Sequence, residues 1–303
     1  MRVVALLLAA LGGVAWFARD ATFLSGMRGA IMPLTPHAAY SISLRQTGLD
    51  VTPVGRRWLS AATQAVEDPT PVRLPFQRSV VHTHEHPSAL GYRVALKRGQ
   101  RIEVVARFAG DTPSQTFVDV FEPETGTSPT EVGSLWGTAF EARRDGDVIV
   151  RVQPELLRAG KLHVMARAAP ALRFPVANAR PRDLQSVFGD TRDGGERQHE
   201  GVDIFAKRGT DVLSASAGLV TRVNETGIGG RVVWVWDTSR SLMLYYAHLD
   251  QQLVTAGQYV RPGDVIGTVG NTGNARTTPP HLHFGIYDSG RGAINPEAFI
   301  AGI

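Results

Sequence analysis

Residues 281–286, near the C-terminal end of the chain, alternate strictly between two kinds of side chain. Two histidines and a glycine occupy the odd positions, and three apolar residues occupy the even ones. In a β-strand, residues two apart project from the same face. The alternation therefore predicts a strand that packs its apolar face against a core, with His281 and His283 projecting together from the other face. Two imidazoles on one wall of a sheet suit a metal ligand beside an acid–base group.

The chain of 303 residues contains no cysteine, which limits the sites it can build. Disulfides, cysteine-ligated zinc, iron–sulfur clusters and cysteine nucleophiles are excluded, so a metal site must use His, Asp or Glu. Hydrophobic residues make up 43% of the chain, enough for a packed core, and the length favours two domains. The formal charge of +4 comes without a long basic run, so nucleic acid is not an expected partner.

A second motif, residues 199–203, places a histidine and a carboxylate four positions apart. In a straight strand His199 and Asp203 would lie roughly 13 Å apart. Zinc bonds to histidine nitrogen and carboxylate oxygen are about 2.0–2.2 Å long, so a straight strand would strain to bring both to one ion. Gly201 lies between them and permits the bend that would bring them together. We therefore expect this glycine to be part of the site's geometry.

These residues form a set typical of a catalytic zinc site, which commonly has three protein ligands and an open position. His199, Asp203 and either His281 or His283 supply the three ligands, and spacing alone does not distinguish the last two. The other one, together with His248, is left for proton transfer, a role that suits an imidazole with a pKa of about 6.5. Zinc lowers the pKa of a water ligand toward about 7, which would allow hydrolysis at neutral pH.

Residues 185–300 resemble the lysostaphin-like (LytM-type) zinc endopeptidases, which cut peptidoglycan cross-links. Beyond the histidine motifs, the resemblance includes the Phe-Gly pair at 188–189, the Tyr-Ala-His-Leu segment at 246–249 and the late turn regions 260–267 and 270–273. It covers about 115 of the 303 residues. The combination of these segments with both histidine motifs is highly specific.

The resemblance implies an antiparallel β-sheet groove with one zinc ion at its floor. By the same resemblance, His199, Asp203 and His283 are the zinc ligands and His281 is the general base. His248 would be a second catalytic histidine that stabilises the transition state or donates a proton. The substrate implied is the peptide part of peptidoglycan.

The sequence departs from the family pattern at two places. Some members carry a tyrosine several residues before the first histidine to stabilise the oxyanion, and residues 190–196 contain none. Arg192 and Tyr245 are the candidates to replace it, since a guanidinium or a hydroxyl can stabilise developing negative charge. Pro279 stands where many members carry glycine, which we interpret as a loop variant because every ligand is retained.

The fold class predicted for the whole chain is mainly β, with a short helical segment and a small sandwich before the groove. The predicted divisions are a signal peptide or anchor (1–23), a helical pre-domain (24–68), a β-sandwich-like domain (69–169), a linker (170–182) and a zinc metallopeptidase domain (183–303). The linker is predicted from three prolines within a stretch rich in Ala and Arg.

Two patterns define the upstream elements. An amphipathic helix is predicted to begin at Thr52-Pro53 and to end at Asp68-Pro69. The sandwich is predicted from short segments of alternating polarity. These segments are 92–96, 101–108, 117–121, 147–152 and 161–166.

The first residues have the pattern of an export signal. Arg2 precedes an apolar run over 3–17, and the small residues at 13–15 offer a cleavage site. The run is short for a bilayer span, which takes about 20 residues. A cleaved signal is the leading interpretation, with an inner-membrane anchor and a buried helix as alternatives. Either of the first two places the protein in the periplasm or cell envelope, and the lack of cysteine excludes a lipoprotein anchor.

A further histidine cluster comprises His82, His84 and His86. In one straight strand the outer two would lie about 13 Å apart, too far for a single ion. We therefore expect a solvated loop there, with no assigned role.

The function predicted is an exported zinc endopeptidase that hydrolyses peptide cross-links of peptidoglycan. The alternatives are a wall-binding regulator of another hydrolase, with weak or no activity, and a peptidase acting on proteins. The complete set of ligands and accessory histidines favours the enzyme. The bond cut and the oligomeric state are left open.

Overall fold

The computed structural model describes residues 35–110, 112–123 and 132–302. The predicted fold class is confirmed, since the chain is mainly β. The apolar run over 3–17, and the signal or anchor predicted from it, lie outside the described residues. Within the described ranges, no helix is both long and apolar enough to cross a membrane.

Two helices precede the first sheet, α1 (Pro36–Gln46) and α2 (Pro53–Glu67). Each begins after a threonine whose hydroxyl accepts a hydrogen bond from a backbone N–H of the first turn. The sequence predicts α2, whose apolar residues follow the helical period. It does not predict α1, because only His37 and Leu44 are buried on that helix and they make no continuous apolar stripe.

Nine strands form the upstream sandwich. They are β1 (Thr70–Pro71), β2 (Phe76–His82), β3 (Leu90–Leu96), β4 (Gln100–Gly110), β5 (Thr116–Phe121), β6 (Val132–Leu135), β7 (Gly137–Glu141), β8 (Gly146–Pro154) and β9 (Gly160–Pro170). One sheet has the order β1-β3-β8-β5-β6 and the other the order β2-β9-β4-β7. Apolar side chains from both sheets share one buried cluster, which includes Val94, Val104, Val150 and Leu162.

All five strands predicted upstream are confirmed, and the four that the sequence did not predict are the edge strands β1, β2, β6 and β7. An edge strand pairs on one side only and packs fewer side chains, so its alternation is weak. In β2, for example, only His82 is fully buried.

The expectation of a solvated loop is wrong for His82. This residue ends β2 and is buried against the ring of Phe108. Its neighbours His84 and His86 are exposed, as predicted. The described residues offer only one metal-type cluster, and it lies elsewhere.

The C-terminal region contains twelve strands. They are β10 (Leu184–Ser186), β11 (Thr191–Arg192), β12 (Arg197–Gln198), β13 (Val202–Phe205), β14 (Asp211–Leu213), β15 (Gly218–Thr226), β16 (Gly230–Asp237), β17 (Leu242–Gln252), β18 (Tyr259–Val260), β19 (Val265–Val269), β20 (His281–Asp288) and β21 (Gly292–Ile294). A short helix, α3 (Glu297–Ala301), follows them.

The main sheet of this region has the order β10-β13-β20-β17-β16-β15-β18, and each neighbouring pair is antiparallel. One face of the sheet packs on the core, where the alternation in β20 buries Leu282, Phe284 and Ile286 completely. The opposite face of the same strands is therefore the one that carries the histidines.

The proline-rich segment between the two regions packs against the second. Leu172 and Val176 belong to the C-terminal core, and the backbone of Leu172 donates to the carbonyl of Phe299. Val176 also forms a bridge to Val212 of β14. The segment therefore runs along the sheet as an ordered strap.

Direct contacts join the two regions. Arg240 donates to both carboxylate oxygens of Glu141 at 2.7 Å, and Arg98 pairs with Asp288 at 2.5 Å. Gly99, with a φ of +85°, approaches the ring of Phe299 so closely that a Cβ atom there would lie 2.4 Å from it. These contacts lie at the end of β20 remote from its histidines.

The buried imidazole of His37, in α1, makes the stability of the upstream domain depend on pH. Its ring stacks on Trp58 at 4.9 Å and bonds Gln153 at 2.8 Å, and burial lowers the pKa of His37 from 6.5 to about 4. Above pH 6.5 the imidazole is neutral in both folded and unfolded chains. As the pH falls from 6.5 to 4, the unfolded chain gains a proton that the folded chain does not, so stability is lost.

We expect His37 to account for a loss of about 2 kcal/mol in the free energy of unfolding between pH 7.5 and pH 5. Urea unfolding of the upstream domain at both pH values measures it. A His37→Gln variant should lose this part of the pH dependence, while His86→Gln, which removes an exposed imidazole, should retain it. Equal pH dependence in wild type and His37→Gln would contradict the assignment.

Candidate metal centre

The antiparallel pairing of β13 with β20 brings the first and last motifs together. In this register Asp203 lies directly opposite His283. His199, just before β13, reaches the same point. Nε2 of His199 lies 3.1 Å from Oδ1 of Asp203 and 2.9 Å from Nδ1 of His283. Nδ1 of His283 lies 3.1 Å from Oδ1 of Asp203. The structure thus brings together the three residues that the resemblance gives as ligands.

Gly201 lies in a bend between His199 and β13, as the spacing predicts. The structure adds a second reason for a glycine. A Cβ atom at this position would lie 2.6 Å from the carbonyl oxygen of Phe284 and 2.7 Å from the ring of His283. The bare backbone therefore lets the His283 ring lie beneath the bend.

Hydrogen bonds orient the metal-binding atoms of this cluster toward one point. Nδ1 of His199 lies 2.9 Å from the carbonyl oxygen of Val187, which can only accept, so Nδ1 carries the proton and Nε2 presents a lone pair. The three facing atoms lie within 4.8 Å of one another. Tetrahedral zinc with bonds of 2.0–2.2 Å holds its ligands about 3.4 Å apart, so two imidazoles and a carboxylate in this arrangement fit the ion.

The charge of the cluster is set by its surroundings. Burial alone would raise the pKa of Asp203, but its polar contacts with His199 and His283 outweigh that effect and hold the pKa well below its usual range. Burial lowers the pKa of His283. Both shifts favour the ionised carboxylate of Asp203 and the neutral imidazole of His283, which are the forms that bind a divalent cation.

A bulge in β17 directs His248 into the groove. Its φ is +62°, and the register with β16 shifts here, so that Ala247 and His248 both leave the core face between Tyr246 and Leu249. Nδ1 of His248 bonds the carbonyl of Thr272 at 2.9 Å. Burial lowers the pKa of His248 to about 4.

His281 lies at the start of β20, on the same face as His283. Its Nδ1 bonds the carbonyl of Pro279 at 2.9 Å, which leaves Nε2 directed at the cluster, 3.9 Å from Oδ1 of Asp203. The His281 ring contacts that of His248 at a centroid distance of 5.0 Å and lies against Phe205. Both accessory imidazoles thus present an unprotonated nitrogen to the groove.

The two candidates for oxyanion stabilisation lie in different surroundings. Arg192 donates to Oδ2 of Asp203 at 2.7 Å and to Ser186, so its charge supports the carboxylate. The Tyr245 ring lies edge-on to His283 at 5.8 Å, and its hydroxyl bonds Thr226.

Several groups of the groove were not predicted from the sequence. The carbonyls of Val187 and Thr272 orient two histidines, and a backbone carbonyl leaves no signal in the residue type. Trp234 and Tyr287 also line the groove. Tyr287 could have been found, because it continues the alternation of His281, His283 and Gly285 along the same face of β20.

Comparison with known proteins identifies the family of the C-terminal region. The family model described as "Peptidase family M23" matches residues 197–296. This range includes the cluster of His199, Asp203 and His283 and the accessory histidines His248 and His281. This region is an M23 peptidase domain. The resemblance to lysostaphin-like endopeptidases seen in the sequence is thereby confirmed.

Related proteins match the same part of the chain. An L-Ala–D-Glu endopeptidase of Bacillus subtilis is 39% identical over 127 residues, which are 39% of each chain. The peptidoglycan DD-endopeptidase ShyC of Vibrio cholerae is 34% identical over 40% of this chain and 28% of its own. The chain thus spans less than half the length of these relatives. The catalytic domain of lysostaphin from Staphylococcus simulans is 30% identical over 39% of this chain and 93% of that domain, with a TM-score of 0.35.

Arg192 should affect metal affinity through Asp203. Partners that hold a metal ligand in place typically contribute 10–100-fold to affinity. We therefore expect Arg192→Ala to weaken zinc binding by about that factor, measured by competition with a chelating dye. Arg291→Ala, which removes an exposed arginine from the β20–β21 turn, is the control. Unchanged zinc affinity in Arg192→Ala would show that the ion pair does not position the carboxylate.

Proposed function

We propose that this protein is a zinc-dependent endopeptidase that hydrolyses peptide bonds in the cross-links of bacterial peptidoglycan. The observation that carries the proposal is the convergence of His199, Asp203 and His283 in an open groove, with two further imidazoles directed at the same point. Membership of peptidase family M23, which is zinc-dependent in general, supports the metal. The relatives named as peptidoglycan endopeptidases support the substrate.

His199 Nε2, Asp203 Oδ1 and His283 Nδ1 would hold the zinc ion. When bound, zinc supplies Lewis acidity to a water molecule and to the carbonyl of the scissile amide. Nε2 of His281, free of a proton, accepts the proton of the attacking water. His248 Nε2, which also carries no proton, lies on the same side and accepts a hydrogen bond from the reacting groups. The proton held on His281 is then available to the leaving amine.

Among the described residues, only those of the C-terminal domain line the groove. Its lining residues all fall between Gln185 and Tyr287, so within the described ranges the upstream sandwich does not line it. A regulator without activity would not need two accessory histidines whose Nδ1 atoms are both fixed by carbonyls. This orientation of both imidazoles favours an enzyme over a regulator, and peptidoglycan is favoured over protein substrates by the named relatives.

The localisation proposed is the periplasm or cell envelope, reached through the N-terminal apolar run and retained there if that run stays as an anchor. A peptidoglycan hydrolase needs this location to meet its substrate. Residues 1–34 fused to a reporter enzyme that is active only outside the cytoplasm should give activity. Replacement of Leu7 and Leu8 by Glu should abolish it, and an inactive fusion with the native residues would contradict export.

Incubation of the purified protein with isolated sacculi should convert cross-linked muropeptides to uncross-linked ones, detected by mass. A zinc chelator should stop the reaction, and added zinc should restore it. No change in the cross-linked muropeptides with the zinc-loaded protein would contradict the proposal and favour the regulator.

Two variants separate metal binding from proton transfer. His281→Ala should lower the rate of cleavage by about 10²–10⁴-fold and still bind one zinc ion, because it removes the base and leaves the ligands. His199→Ala should lose both zinc and activity. His163→Ala, on the exposed face of the upstream sandwich, is the control with unchanged activity. Loss of zinc in His281→Ala would reassign this residue as a ligand.

A further inference from the structure

The sheet face that carries the metal centre continues beyond it as a row of aromatic residues. The next row on this face after the Asp203–His283 pair crosses three strands. Trp234 of β16 lies opposite Tyr245 of β17, and Tyr245 lies opposite Gly285 of β20. The rings of Trp234 and Tyr245 lie 4.3 Å apart, centroid to centroid. Cross-strand partners project from the same face of a sheet, so this row adjoins the metal centre directly.

A second row follows and crosses five strands. Its cross-strand partners, taken in order, are Tyr259, Leu219, Trp236, Met243 and Tyr287. We refer to these five residues together with Trp234 and Tyr245 as the aromatic platform.

Much of the platform is exposed. Trp236 is 43% exposed, Tyr259 62% and Leu219 37%, whereas Val235 and Leu244, which face the other side of the same strands, are fully buried. An isolated exposed apolar residue needs no explanation, but a contiguous exposed apolar patch marks a binding surface. This patch adjoins the proposed active site, so its occupant is expected to be another part of the molecule that is cut there.

We propose that the aromatic platform binds sugar rings of the glycan strand whose peptide lies at the metal centre. This inference rests on the proposed function. A hexopyranose ring has an apolar C–H face that stacks on Trp and Tyr rings and a rim of polar groups. Two polar side chains flank the platform for such a rim: Glu200, which accepts from the Tyr287 hydroxyl at 3.2 Å, and Arg222, opposite Trp234.

The peptide part of the substrate suits the platform less well. Stem peptides carry several carboxylates and small side chains, and these gain little from uncharged aromatic faces. The sugars are the uncharged rings of the polymer, so they match the chemistry of Trp236 and Tyr287.

The spacing along β20 agrees with this assignment. Gly285 and Tyr287 are two and four residues from His283, or about 7 and 13 Å along the strand. An extended peptide covers about 3.3–3.6 Å per residue. A sugar on the platform would therefore place a bond two to four residues along its peptide at the metal centre.

The test compares two cross-linked dimers that differ only in the sugars. One carries a disaccharide on each peptide, and the other has lost its sugars to an amidase. We expect the full-length enzyme to favour the glycosylated dimer about tenfold in kcat/KM, through a lower KM. In Trp236→Ala this ratio should fall to about one. Trp136→Ala is the matched control, because Trp136 is 56% exposed on the upstream sandwich, and it should retain the wild-type ratio.

A binding measurement keeps this inference separate from the proposed function. Calorimetric titration with a tetramer of β-1,4-linked N-acetylglucosamine, which has no peptide, should show binding to wild type and Trp136→Ala and a loss of at least tenfold in Trp236→Ala. If neither dimer is cut, the proposed function fails, and the titration alone decides on the platform. Equal cleavage of both dimers by wild type, with no binding of the tetramer, would overturn the inference and leave the platform as a protein-docking surface.

Discussion

The register between β13 and β20 is the constraint on which the rest of the C-terminal domain depends. It places Asp203 opposite His283 on one face of the sheet and Ile204 opposite Leu282 on the other. A slip of one residue would exchange the two faces and bury Asp203 and His283 in the core. The fully buried Ile204 and Leu282 make such a slip costly. The hydrophobic core on one face of the sheet thus specifies the geometry of the metal centre on the other.

The alternation of buried and exposed side chains also decides which strands can be predicted from the sequence. A strand buried on one face and functional on the other, such as β20, leaves a clear alternation, and both the strand and the shared face of His281 and His283 follow from it. Gly201 is also predictable, because two ligands four residues apart need a bend. The edge strands β1, β2, β6 and β7 leave no comparable pattern, since each pairs with a neighbour on one side only and packs fewer side chains.

Other features depend on tertiary contacts that residue types do not encode. The bulge that turns His248 into the groove needs a positive φ at a histidine, and that backbone is held by the carbonyl of Gly229 and, through the ring, by Thr272. The pairing of Arg192 with Asp203 needs the hairpin β11–β12 to fold over the site. Sequence reasoning could propose Arg192 as a charge near the reaction, but only the fold shows that its partner is a carboxylate of the site itself.

Gly285 shows how one position connects the metal centre with the aromatic face. It lies between His283 and Tyr287, and a Cβ atom there would lie 3.0 Å from the Tyr287 ring and 3.3 Å from the carbonyl oxygen of Glu200. Without a side chain, the strand leaves a path over Gly285 from the cluster to Tyr287. The flanking Tyr245 and Trp234 rings form one wall of that path. A substrate that runs along the strand would therefore meet the His-Asp-His cluster first, then bare backbone, and then aromatic rings, which is the order expected for a peptide joined to a sugar.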